Sequence, residues 1–142
     1  MKLSCDSLDL SDALTQVGKA LPLKKVMPIL NGIKLKAEGD TLTLTATDLE
    51  LSIEKKINAE ILIEGETVIL GKYFTEYVRK IDKEDVIIDT SGENTLKLTY
   101  GENNGYVQTM EADEYPVFKN VNDENSFYIV KKELKNLIEK II

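Results

Sequence analysis

Two hydrophobic periods alternate along this chain, and they do so twice. Residues 1–5 read as a short strand, after which Leu10, Ala13, Leu14, Val17 and Leu21 recur at helical spacing. Asp6 or Ser7 is placed to cap that helix, which the pattern carries to about Ala20, with Asp12, Thr15, Gln16 and Lys19 on its polar side. Pro22 and Pro28 bracket the loop Leu23-Lys24-Lys25-Val26-Met27, through which the helix cannot continue. From Ile29 the period changes to two. Ile33, Leu35 and Ala37 alternate with Lys34 and Lys36, Gly39-Asp40 turns the chain, and Leu42, Leu44 and Ala46 alternate with threonines. Leu49, Leu51 and Ile53 against Glu50, Ser52 and Glu54 predict a third antiparallel strand, each of the three with one wet face.

After residues 61–65 the order recurs. Residues 67–70 are strand-like, and 71–81 form a helix with Phe74, Tyr77, Val78 and Ile81 on one side. Strands come next over 86–89, 95–100 and 106–110, with turns at Ser91-Gly92-Glu93-Asn94 and over 101–105. The second helix begins about 64 residues after the first, so the chain reads β-α-β-β-β twice. Two such units, each burying one helix face on antiparallel sheets, predict an α+β domain with both helices on one side. The segment from Ala112 to Phe118 is aperiodic and leads out of that domain. Residues 126–130 read as a strand and 131–142 as a helix striped with Leu134, Leu137, Ile138 and Ile141. This third β-α start predicts a division into a domain over 1–120 and, over 121–142, a linker with the truncated opening of a second domain.

Charge and composition narrow the chemistry. The chain carries 18 basic and 25 acidic residues, a net charge of −7, which disfavours tight binding to phosphates and favours a protein partner. A DNA role must therefore rest on a local basic face or on topology. No histidine is present, which removes Ser/His and Cys/His nucleophile pairs and nearly all zinc constellations. Cys5, the single cysteine, cannot form an internal disulfide and reads as a small buried strand residue, consistent with a cytoplasmic setting. Asp48 and Glu50 flank Leu49 at a strand junction and read as a turn cap and an exposed carboxylate, not as metal ligands. Neither a catalytic constellation nor a metal or cofactor site is predicted.

The stretch Ala20-Leu21-Pro22-Leu23-Lys24-Lys25-Val26-Met27-Pro28-Ile29-Leu30-Asn31-Gly32 resembles the loop and following strand of bacterial beta sliding clamps. Leu42-Thr43-Leu44-Thr45-Ala46-Thr47-Asp48-Leu49-Glu50 does so too, Asp113-Glu114-Tyr115-Pro116 resembles the exit motif before that family's second domain, and Phe127 onward resembles the second domain's opening. Each motif is soft by itself; their order and spacing, over essentially the whole chain, are specific. The resemblance implies a DNA-clamp fold and a non-catalytic accessory subunit of DNA polymerase III. In that family three similar domains per chain, two chains head to tail, close a ring around duplex DNA, with helices lining the hole. The pocket for polymerase and clamp-loader peptides lies in later domains, so this chain is expected to lack it and to be monomeric alone.

The same resemblance places a DNA-contacting cation at Lys24, with Lys25 beside it. Lys19 on the first helix and Lys72, Arg79 and Lys80 on the second would attract phosphates without reading bases. Lys131, Lys132, Lys135 and Lys140 make the last helix the most basic segment, and the resemblance implies that it also faces the hole, with Lys131, Lys132 and Lys135 as its DNA contacts. The competing reading is solvated loop lysines and i,i+4 pairing with Asp9, Asp12 or Glu76. For ring closure the resemblance points to the second helix and the last strand, hence Lys72, Tyr106 and Val107. In that strand the family's aromatic is displaced by one position, and Glu102 and Asn104 stand where basic residues are usual. A one-residue shift turns a strand side chain to the other face, so either a bulge restores it or closure differs. Two other functions stay open: a stand-alone clamp-like module that caps or blocks a full clamp, and, remotely, an enzyme domain sharing the duplicated form.

Overall fold

The computed structural model describes residues 1–24, 27–118 and 121–142. Strand β1 (Lys2–Asp6) passes directly into helix α1 (Ser7–Val17). Asp6 is still extended, with φ −70° and ψ 135°, and its Oδ1 accepts from the N–H groups of Leu8 and Asp9 at 2.9 and 3.1 Å. It thus supplies partners to two of the helix's orphan donors. Replacing it with alanine is expected to lower stability by about 1 kcal/mol, read from the urea midpoint. Ser7, predicted as the alternative cap, is buried instead, and its hydroxyl donates to the carbonyl of Asp82 at 2.8 Å. A 3-10 turn (Gly18–Ala20) ends the helix within a residue of the predicted stop.

Strands β2 (Gly32–Glu38), β3 (Thr41–Thr47) and β4 (Ser52–Asn58) form the expected antiparallel meander. Its start is later than the period suggests, because Pro28–Asn31 winds into a 3-10 turn that buries Ile29 and Leu30. The third strand also begins later. Leu49 and Leu51 are exposed and belong to the turn, where Leu49 takes φ +77°. Asp48 holds that turn as its cap, its Oδ1 accepting from Glu50 N at 3.0 Å and Leu51 N at 2.7 Å. Those bonds keep its carboxyl below the usual carboxylate range. Thr45 and Thr47 are buried, so the end of β3 lacks the wet face that the alternation promises.

The chain continues through β5 (Glu60–Ile63), β6 (Gly65–Leu70), α2 (Gly71–Val78), β7 (Asp85–Gly92), β8 (Thr95–Tyr100) and β9 (Asn103–Met110). Helix α2 stops before the predicted 81. Lys80 N–H bonds to Tyr77 O and Ile81 N–H to Val78 O, a tightened turn that draws Ile81 into the core. β7 and β9 are each longer than predicted. Gly105 is predicted in a turn, yet it lies within β9 opposite Leu98. A Cβ there would fall 2.2 Å from the Tyr77 hydroxyl. The glycine makes room for Tyr77 to reach the Tyr100 hydroxyl at 2.8 Å and to meet its ring edge-on, with centroids 6.1 Å apart.

The nine strands pair in the order β4-β3-β2-β6-β9-β8-β7-β1-β5. The predicted duplication explains this order once pairing is taken into account. Each half's first strand lies beside the other half's second, β1 with β7 and β6 with β2. Each half's fourth strand then returns to its own first. The last residues of β9 pair with β6, and β4, broken only at Ala59, continues as β5 to pair with β1. β5, which the hydrophobic pattern does not predict, is therefore the outer end of a fourth strand. Helices α1 and α2 pack on each other, and Leu10, Leu14, Phe74 and Val78 share one core with Leu3, Ile33, Leu35, Leu96 and Leu98. This bears out the expected helix-on-one-side arrangement. Cys5 joins that core, and burial pushes its thiol up to about 12, which keeps it protonated and inert.

The tail does not match its prediction throughout. Residues 126–130 form no strand; they are exposed and lie beside no strand among the described residues, so an isolated extended segment has no ladder to join. Helix α3 (Lys131–Ile141) is present, and its stripe of Leu134, Leu137, Ile138 and Ile141 is exposed.

Candidate nucleic-acid interface

The seam where α1 meets α2 gathers three of the predicted cations. Gly71 lets the start of α2 lie close against β2 and the segment after α1, since a Cβ there would meet Ile33 and Leu21 side-chain atoms at 2.8–2.9 Å. Between the end of α1, the segment after it and the outer side of α2 lies a groove of about 790 Å³. Its floor is apolar, with Leu14, Leu21 and Leu70. Lys19, Lys72 and Arg79 stand on its walls beside a single carboxylate, Glu76. The i,i+4 pairing of the competing reading does not occur there: among the described residues Lys19, Lys72 and Arg79 make no ion pair. Surface pairs elsewhere do form, Lys34 with Glu66 at 3.0 Å and Lys36 with Glu38 at 2.9 Å.

The other predicted positions fall in different places. Lys24 is exposed on the loop after the groove, and Lys25 lies outside the described residues. Lys80 is exposed beyond the end of α2 and does not line the groove. Lys131, Lys132 and Lys135 are exposed on α3, where Lys135 is paired with Glu139 at 3.7 Å. Sequence reasoning missed Tyr73, which lines the groove while 68% exposed. Its signal was an aromatic beside Lys72 on the polar side of an amphipathic helix.

A second small core holds the base of the Lys24 loop. Ile29, Leu30 and Val68 pack with Ala112 and Tyr115 of the exit motif. The Tyr115 hydroxyl is shared between the carbonyls of Thr45 at 3.2 Å and Gly32 at 3.4 Å, and burial pushes it up to about 12. The segment after β9 is thereby tied to β2 and β3, the strands that come after the basic loop.

Strand edges are open at β5, which pairs only with β1, and at two further places among the described residues. β4 pairs only with β3, and β9 pairs over 103–108 only with β8, meeting β6 just at Thr109 and Met110. No register shift interrupts β8 and β9, so the bulge considered for this strand is not present. Val107 packs against the core, and Tyr106, opposite Lys97, projects outward with 67% exposure.

Residues 1–119 match the family model of the DNA polymerase III beta subunit, N-terminal domain. The chain belongs to that beta-subunit family. The beta sliding clamp of Staphylococcus epidermidis is 29% identical over 128 residues, covering 84% of this chain and 34% of the relative. That of Halalkalibacterium halodurans is 28% identical over 137 residues, covering 91% and 36%. Among solved structures, the sliding clamp of Bacillus subtilis superposes with a TM-score of 0.93 at 28% identity, over 97% of this chain and 38% of that one. The Caulobacter crescentus beta subunit gives 0.88 at 30% identity, over 99% and 38%. A Helicobacter pylori beta clamp, solved bound to a DNA ligase peptide, gives 0.80 at 25% identity, over 86% and 34%. The chain therefore spans about a third of the length of these relatives. The motifs that carried the resemblance lie within the matched residues, apart from the stretch from Phe127 onward.

Proposed function

We propose that residues 1–120 are the first domain, and 121–142 the linker and opening of a second, of a DNA sliding clamp that encircles duplex DNA and keeps the replicative polymerase from dissociating. The observation that carries this reading is the family match over 1–119, coupled with unpaired cations on the one surface where the two helices meet. The mechanism is mechanical and non-catalytic. A net charge of −7 opposes a tight grip, and a ring retains DNA topologically, so a thin lining of Lys19, Lys24, Lys25, Lys72, Arg79 and Lys80 is enough to centre the duplex while letting it move. Lys131, Lys132 and Lys135 would extend that lining into the second domain. Lys72 with Tyr106 and Val107, on the open side of β9, would meet the partner chain head to tail. An unpaired strand edge supports this, because it offers backbone donors and acceptors to a neighbouring sheet. The polymerase and clamp loader would be reached through other domains, in the bacterial cytoplasm; no described helix is long and apolar enough to cross a membrane.

The test is a salt titration of the 142-residue chain against linear duplex. Binding should be weak and by a monomer. With about three phosphate contacts the affinity should fall about 40-fold between roughly 50 and 200 mM salt, and Lys24→Ala should flatten the log–log slope by about 0.9. Tight salt-resistant binding, or a slope indifferent to both Lys24→Ala and Lys25→Ala, would contradict the assignment.

A further inference from the structure

The groove between α1 and α2 contains more than a duplex needs. Sequence-independent contact with a duplex goes to phosphates, through cations and polar groups such as hydroxyls, and makes no use of an aromatic face. In an intact duplex the base faces are stacked on one another and meet a side-chain ring only at the cost of unstacking. Tyr73 nevertheless stands 68% exposed in that groove, beside the apolar floor of Leu14, Leu21 and Leu70. A chain of net charge −7 has placed Lys19, Lys72 and Arg79 around this spot against Glu76 alone, and none of the three is neutralised by an ion pair among the described residues. An exposed ring within a cationic wall fits one ligand chemistry in particular, a strand whose bases are free to stack while its phosphates meet the cations. At about 790 Å³ the groove has the size of a small-molecule site.

We propose that the α1–α2 groove is a subsite for unpaired DNA, in which a base stacks on Tyr73 and the adjoining phosphates meet Lys19 and Arg79, Lys72 being the member of the groove assigned to the partner chain. This rests on the DNA reading above and adds to it a preference for single-stranded over duplex segments. Such a subsite would make a sliding ring dwell where a duplex gives way to single strand, because only there does the groove find a free base.

The experiment measures anisotropy of the 142-residue chain, at low salt, with three labelled probes: an oligothymidylate of about eight nucleotides, an abasic strand with the same number of phosphates, and a hairpin whose duplex stem is about eight base pairs long. The thymidylate should bind about tenfold more tightly than the abasic strand, the effect of one base on one aromatic ring. Tyr73→Ala should abolish that difference while leaving the abasic and duplex affinities unchanged, and Tyr73→Phe should keep it. Lys19→Ala or Arg79→Ala should weaken all three probes. Tyr73 is exposed, so its variants are expected to fold, and circular dichroism checks this. Equal binding of thymidylate and abasic strands, with duplex binding intact, overturns this inference alone. Failure of every probe to bind at low salt overturns the DNA reading with it.

Discussion

Truncating Phe74 to alanine is expected to remove about 3–5 kcal/mol of folding stability. Phe74 is the largest of the fully buried side chains and lies in the core that both helices share with the sheets. Its loss leaves a cavity that α2 cannot collapse into without pulling away from α1 and β6, its neighbours. Because a domain of this size has about 5–15 kcal/mol in total, the variant should lie near the edge of folding. Urea unfolding followed by circular dichroism checks the prediction. The midpoint should drop sharply with the slope unchanged, whereas Tyr73→Ala, one residue away, should stay within about 0.5 kcal/mol of the parent. Equal effects at the two positions would mean that α2 turns a different face to the core.

The second large effect is expected at Tyr115. Replacing it with alanine should cost about 3–4 kcal/mol, by emptying the small core of Ile29, Leu30, Val68 and Ala112 and removing the shared hydroxyl bond to Thr45 and Gly32. Tyr115→Phe keeps the ring and should cost only about 1 kcal/mol. The two variants separate packing from hydrogen bonding, and amide exchange adds a local reading. The Leu30 N–H, bonded to the Met27 carbonyl at 3.1 Å, should exchange faster in Tyr115→Ala than in Tyr115→Phe. That bond closes the 3-10 turn at the base of the Lys24 loop. The comparison therefore also shows whether the exit motif steadies the loop proposed to touch DNA.

Much of the architecture could be read from local pattern, and particular residues show why. Leu10, Ala13, Leu14 and Val17 mark α1 because a helix returns each to the same side every 3.6 residues, and Asp6 caps it because a short carboxylate reaches two free N–H groups there. Ile33, Leu35 and Ala37 mark β2 by the period of two. Both signals are carried by neighbours in the chain. β5 escaped because Glu60-Ile61-Leu62-Ile63 does not alternate, and its existence depends on β1, nearly 60 residues earlier. Gly105 was misplaced because a glycine that makes room for a tyrosine from another element looks, in sequence, like one that makes a turn.

The candidate site divides along the same line. The chain's own order determined which residues carry charge, which helix faces are apolar and that the unit occurs twice, all from residue type and spacing; that the pieces are those of a clamp domain came from the resemblance of its motifs to that family. That β1 crosses to β7 and β6 to β2, and that α1 consequently lies against α2, was decided only in three dimensions. That juxtaposition brings Lys19 to Lys72, Arg79 and Tyr73 across more than 50 residues of chain, leaving the three cations without ion-pair partners among the described residues in one groove. The physical reason is that strand exchange and helix contact are set by the burial of whole faces, summed over both halves, and no local window contains both halves at once.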